Sequence, residues 1–159
     1  MRLLRPLEAQ GSIRWLSRDL AIGRPAGEAG WRVLRARGLR AVVDLSNECA
    51  AAGDLVRQHG MRYLRLSVDR TGLPEPEELH IVTSWVLERI RDGGSVLLHD
   101  SDGFGNDALL ACAVIVKRGS SSEKAQSQVR SIAGAVLTTP QLDLLHQFVA
   151  QRAVAANRG

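Results

Sequence analysis

Short apolar strand-like runs alternating with helix-periodic segments predict an α/β domain: a central, mostly parallel sheet flanked by helices. Three observations carry this. AVVDL at 41–45 and SVLLH at 95–99 are the continuous apolar runs expected of strands buried on both faces. Leu79, Val82, Val86, Leu87 and Ile90 recur at helical spacing. ALLACAVIV at 108–116 is apolar on most sides, as a central helix would be.

The elements follow in order. IRWL at 13–16 and DLAI at 19–22, separated by Ser17 and Arg18, read as a short opening hairpin. Pro25 opens a helix over 26–37 that buries Trp31, Val33 and Leu34 and stops at Gly38. The strand at 41–45 leads to a helix over 49–58 closed by Gly60, then to a strand YLRLSV at 63–68. Pro74 and Pro76 mark a loop before a helix from Glu77, which Gly93 and Gly94 end. After the strand at 95–99 come a glycine-punctuated loop and a helix over 107–118. Two further helices span 121–134 and 140–156, the last opening on Pro140. All of this makes one domain with its core at about 12–150.

Composition narrows the function classes. With 159 residues, 45% of them apolar and 24% charged, the chain suffices for one ordinary core. No apolar run approaches the roughly 18 residues of a membrane span. The opening MRLLRPLEAQGSIRW is broken by Arg5, Pro6 and Glu8, unlike a signal peptide. Cys49 and Cys112 are too few for a disulfide framework or a zinc site and read as packing residues. A soluble cytoplasmic protein is expected, without membrane attachment or cofactor. The net charge is +4, and nine arginines stand among the first forty residues against three acids. Such a balance attracts acidic ligands. Aromatic residues are only 4% of the chain, too few for a row of base-stacking platforms, so nucleic acid is not the expected partner.

Ligands on parallel sheets bind beyond the carboxyl ends of the strands, which directs attention to the loop after residue 99. Here His99-Asp100-Ser101-Asp102-Gly103-Phe104-Gly105-Asn106-Asp107 resembles the phosphate-binding loop of the cysteine-dependent protein tyrosine and dual-specificity phosphatases. The pattern in that family is His-Cys, two variable residues, Gly, two variable residues, Arg, then Ser or Thr. LAIGRPAG at 20–27, GLRAVVDLSNE at 38–48, GMRYLRLSVD at 60–69 and the final helix from Pro140 to Phe148 are also similar to family segments. The resemblance covers about residues 12 to 150 and implies the dual-specificity phosphatase fold.

It also implies roles, and the chain departs from them where the chemistry lies. Asp100 stands at the position of the nucleophilic cysteine, Asn106 at that of the phosphate-gripping arginine, and Asp107 at that of the serine or threonine. Asp69 remains at the general-acid position. His99, Gly103 and Gly105 remain in the binding loop, beside Ser101, Asp102 and Phe104. Phosphoryl transfer needs cationic relief of its equatorial oxygens, and Asn106 offers only a neutral amide. Two carboxylate-sized charges at 4 Å repel by roughly 4 kcal/mol at an effective dielectric near 20.

The expectation is therefore a pseudophosphatase, acting as a binding or regulatory module for a protein partner or an acidic small ligand, with no cation opposite Asp100. Three alternatives attach to the loop. The Asp100 carboxylate occupies the anion cradle itself and accepts its amides. Asp100, Asp102 and Asp107 hold a cation, a reading that has oxygen ligands but lacks the EF-hand spacing and its distal Glu. Asp100 works with Asp69 or His99 in non-standard hydrolytic or acid–base chemistry. His59, His80 and His146 have no metal-ligand spacing and are assigned to surface or packing roles.

Overall fold

In the computed structural model, which describes residues 12–45, 51–66, 68, 72–100 and 105–159, the two apolar runs lie side by side at the centre of one sheet. Its strands are Arg14–Trp15 (β1), Leu20–Ile22 (β2), Leu39–Asp44 (β3), Arg62–Arg65 (β4) and Ser95–His99 (β5). Their spatial order is β1-β2-β5-β3-β4. The opening hairpin β1–β2 is antiparallel and every other pairing is parallel. The helices among the described residues are Gly27–Ala36 (α1), Ala51–Gln58 (α2), Pro76–Arg91 (α3), Asn106–Lys117 (α4), Ser122–Ala133 (α5) and Thr139–Ala156 (α6).

The period-two alternation of the strands builds a core on each face. Leu20, Ile22, Ala41, Val43, Val96 and Leu98 face α3, α4, α5 and α6 in the larger core. Ala21, Val42 and Leu97, one residue out of phase, face Trp31 and Leu34 of α1 and Val56 of α2 in the smaller one. Helix α4 is central, as its composition predicts: every residue from Ala108 to Val116 is buried. The fold class and the mostly parallel sheet agree with the sequence reading.

Differences are confined to the ends of elements. Strand β4 stops at Arg65 rather than 68 because its partner stops: the β3–β4 register ends at Asp44 opposite Arg65. Strand β3 starts earlier, at Leu39, with a register irregularity between Leu39 and Ala41. Helix α3 begins at Pro76, which takes the first helical position where its missing N–H is no loss. Part of the expected helix at 49–58 and Cys49 fall outside the described residues. Cys112 is wholly buried on α4, and burial pushes its thiol up to about 12. His80 stacks on Phe148 with ring centroids 4.4 Å apart, a packing role. No helix of the described residues is long and apolar enough to cross a membrane.

The inner core sets a clear contrast in stability. Leu109→Ala, at a wholly buried position of α4, is expected to cost about 2–5 kcal/mol. Ile81→Ala, at a residue 64% exposed on α3, is expected to stay within about 0.5 kcal/mol of the parent. Urea unfolding of the two variants checks this.

Candidate functional site

The parallel pairing of β3 and β5 places Asp44 directly opposite His99 at the carboxyl edge of the sheet. Both are buried, and His99 Nδ1 lies 3.5 Å from Asp44 Oδ1. Asp44 also accepts a short hydrogen bond from the Tyr63 hydroxyl of β4. Burial first, and then the bond to Asp44 and its charge, push the Tyr63 pKa up. The His99 ring meets Trp31 of α1 edge-on, with centroids 5.9 Å apart. His99 is thus held between Asp44 of the neighbouring strand and Trp31 of α1, which supports a structural role in setting where β5 ends.

One residue on, Asp100 is only 8% exposed. Its Oδ2 accepts the backbone N–H of Asn106 at 3.0 Å. The local cause is legible. Gly105 is the N-cap of α4 in a left-handed conformation (φ 77°), and it has no side chain to offer the first amides of the helix. Asp100, six residues back, supplies the acceptor, and the helix N-terminus favours a negative group there. This corresponds to the reading in which the carboxylate itself takes a place in the cradle.

Asn106 is 1% exposed, and its side chain is committed elsewhere. Its Nδ2 donates to the carbonyl of Gly72, and its Oδ1 accepts from Gln141 Nε2 at 3.3 Å. Gln141 Oε1 in turn accepts from Thr138 N at 3.0 Å, in the capping box that opens α6. One side chain therefore ties the loop before α3, the start of α4 and the start of α6. A structural bond network occupies the position that the resemblance assigns to the phosphate-gripping arginine.

Asp107 lies beside Asp100 and accepts its neighbour's amide, Ala108 N, at 2.8 Å. Burial raises its pKa to about 6; the Ala108 bond opposes that rise, the Asp100 charge adds to it and His99 lowers it. Asp100 and Asp107 share a cavity of about 270 Å³ beyond the ends of β2 and β5. Ser12, Gly23, Arg14 and Arg24 line the same cavity. Arg14 comes from β1 and Arg24 from the segment after β2. Both are far in sequence from the loop, and only the pairing of β2 with β5 brings them to it.

Asp69, Ser101, Asp102, Gly103 and Phe104 lie outside the described residues. Among the described residues no group of three His, Cys, Asp or Glu side chains is placed to hold a metal ion. Asp44, Tyr63, Gln141, Arg14 and Arg24 were not singled out from the sequence. Asp44 had a signal, as the one charge in the apolar run 41–45, and Gln141 had the Thr138-x-x-Gln141 capping pattern.

Two measurements bear on this arrangement. Asn106→Ala removes bonds to the Gly72 carbonyl and to Gln141, and is expected to cost about 1–3 kcal/mol. In a double-mutant cycle with Gln141→Ala, the pair is expected to be non-additive by at least about 0.5 kcal/mol. The raised Asp107 pKa means that the native state holds more protons than the unfolded chain between about pH 4 and 6. This contribution is full below the unfolded pKa and is lost as pH rises through the folded value. Relative to the parent, Asp107→Asn is expected to gain on the order of 1–2 kcal/mol between pH 4 and pH 7, read from urea unfolding at each pH.

No family model matches the chain, and no curated protein matches its sequence. Solved structures do match. The crystal structure of PTPMT1 superposes with a TM-score of 0.81 at 22% identity, covering 92% of this chain and 99% of that one. The active form of Tk-PTP gives 0.77 at 28% identity, covering 87% and 97%. Human DUSP28 gives 0.73 at 20% identity, covering 91% and 99%. By these superpositions this chain has the dual-specificity phosphatase fold.

Proposed function

We propose that this chain is a phosphatase-fold protein that does not run the cysteine-dependent reaction and acts as a binding or regulatory module. The observation that carries this reading is the bond from Asn106 N–H to the Asp100 carboxylate. A phosphoryl group entering the cradle needs the amides at the start of α4, and here an acid of the protein already accepts the first of them. The group would also meet the Asp100 charge at close range, a repulsion of roughly 4 kcal/mol at 4 Å and an effective dielectric near 20. The fork of a phosphate-gripping arginine is absent at position 106, where the side chain binds Gly72 and Gln141 instead.

The ligand class follows from the cavity walls. Arg14 and Arg24 provide a positive rim for an acidic group, from a protein partner or a small molecule, that stops short of Asp100. PTPMT1 has been solved in complex with PI(5)P, an acidic ligand carried on the same fold. The oligomeric state and the pathway do not enter this reading.

A second reading has its own support. Asp100 and Asp107 share an open cavity, and Asp107 titrates near 6. Two carboxyl groups in unlike environments are the usual equipment for acid–base chemistry. An enzyme of this fold using Asp100 with Asp69 or His99 for non-standard hydrolysis is the alternative, although the His99 ring engages Asp44 and Trp31.

Purified protein is expected to hydrolyse p-nitrophenyl phosphate no faster than a buffer blank from pH 5 to 8. Turnover that co-purifies with the chain and disappears in Asp100→Ala would refute the non-catalytic reading. A rate that also loses its limb near pH 6 in Asp107→Asn would establish the alternative.

A further inference from the structure

Three helices bring a serine, a lysine and an arginine together at the end of α4 remote from the cradle. Lys117 is the last residue of α4, about 16 Å along the helix from Asn106 at the usual rise per residue. Its Nζ donates to the Ser84 hydroxyl of α3 at 2.6 Å. Arg152 of α6 donates to the backbone carbonyls of Val116 and Lys117, the second at 3.0 Å.

We propose that Lys117 is a site of covalent acylation, its amine taking the acyl group of a small acyl phosphate. The company the amine keeps comes first. Arg152 stands beside it as a second cation, and no acid among the described residues pairs with it. The acids closest to this end of the fold are engaged elsewhere. Asp19 is held by Arg118, the residue after Lys117, at 2.8 Å. Glu88, one turn beyond Ser84 on α3, is held by Arg89 at 3.2 Å. Lys117 is also half-buried. Desolvation first, and then the charge of Arg152, hold its pKa below the ordinary lysine value. A lysine short of water and next to another cation is the arrangement that makes a nucleophilic amine from an ammonium group.

A cation at a helix C-terminus is ordinarily favoured by the macrodipole, which would work against this. Here a different cation answers the dipole. The Arg152 guanidinium takes the terminal carbonyls of α4, and the Lys117 amine turns to the neutral hydroxyl of Ser84.

In the reaction the Lys117 nitrogen attacks the acyl carbon and a C–N bond forms. The C–O bond to phosphate breaks with its electron pair, and the proton released from nitrogen goes to the departing phosphate. The product is a neutral amide, so acylation removes the repulsion between Lys117 and Arg152. The site is separate from the carboxyl-end cavity and stands whether or not that cavity is catalytic.

The chain contains two lysines, and Lys124, exposed on α5, is an internal control. Acetyl phosphate incubated with the full chain, with each lysine read separately by peptide mass spectrometry, tests the assignment. At neutral pH Lys117 is expected to acetylate at least about threefold faster than Lys124 in the native protein. In urea-unfolded protein the two rates are expected to converge. The Lys117 rate is expected to reach its plateau at lower pH than the Lys124 rate, and Arg152→Gln to move that profile towards the profile of Lys124. Thermal unfolding confirms that the variant is folded, and the comparison of native with unfolded parent stands without it. Acetylation of native Lys117 no faster than Lys124, a preference for Lys117 that persists in urea, or a profile that folded Arg152→Gln leaves in place overturns the proposal.

Discussion

The amides at the start of a buried helix have no partners within the helix, and in this fold they converge on the carboxyl edge of the sheet. Whatever accepts them decides what the edge can do. An added anion is one solution, and a carboxylate of the chain is another. Helix α4 begins on Gly105, which contributes no capping side chain, and an acceptor comes from just past the end of β5. Asp100 meets this need from a position 8% exposed. Structure and chemistry are coupled at one atom: the oxygen that satisfies Asn106 N–H is the one an incoming phosphoryl oxygen would have to displace.

The rest of the edge is built to hold that acceptor in place. The β3–β5 register sets Asp44 against His99, while Tyr63 bonds Asp44 and Trp31 meets the His99 ring. Asp100 therefore leaves a strand end that is held by Asp44 on one side and Trp31 on another. On the far side, Asn106 joins Gly72 to Gln141, so the first turn of α4 is tied to the segment before α3 and to the capping box of α6. An arginine at 106 with its fork in the cradle would break both bonds. Placing an arginine at 106 thus meets resistance from packing.

Most of the architecture was legible in the sequence because it rests on local patterns. The apolar runs at 41–45 and 95–99, the helical spacing from Leu79 to Ile90 and the all-round apolar segment 108–116 each fall on the element they predict. Boundaries were less legible where they depend on a partner, as in β4, which ends with the β3 ladder and not with its own alternation. The site was legible only in part. Asp100, Asn106 and Asp107 could be picked out because they interrupt a recognisable loop. The destinations of their bonds could not: Asn106 reaches 34 residues back to Gly72 and 35 forward to Gln141, and no spacing rule connects these. Asp44 meets His99, and Tyr63 meets Asp44, only through strand pairing, which a single sequence does not display.

The arginine-rich opening shows how topology divides one compositional feature between the two ends of the sheet. Arg14, Arg18, Arg24 and Arg37 belong to the first forty residues and look like a single basic stretch. Strand β1 runs antiparallel to β2, with Arg14 opposite Ile22, so Arg14 lies at the carboxyl end of the parallel strands. The turn carrying Arg18 lies at their amino end, only four residues later. The chain then runs back along β2 to Arg24 at the carboxyl end, and α1 returns it to Arg37 at the amino end. Charge is thereby divided between the two ends of the sheet, and it meets different company at each. At the carboxyl end Arg14 and Arg24 face Asp100 and Asp107, two cations against two acids. At the amino end Arg18 and Arg37 line the same cavities, and Asp19 beside them is held by Arg118. A net charge of +4 spread over the chain would attract acids weakly and everywhere. Folded this way, it is divided between the two ends of the sheet.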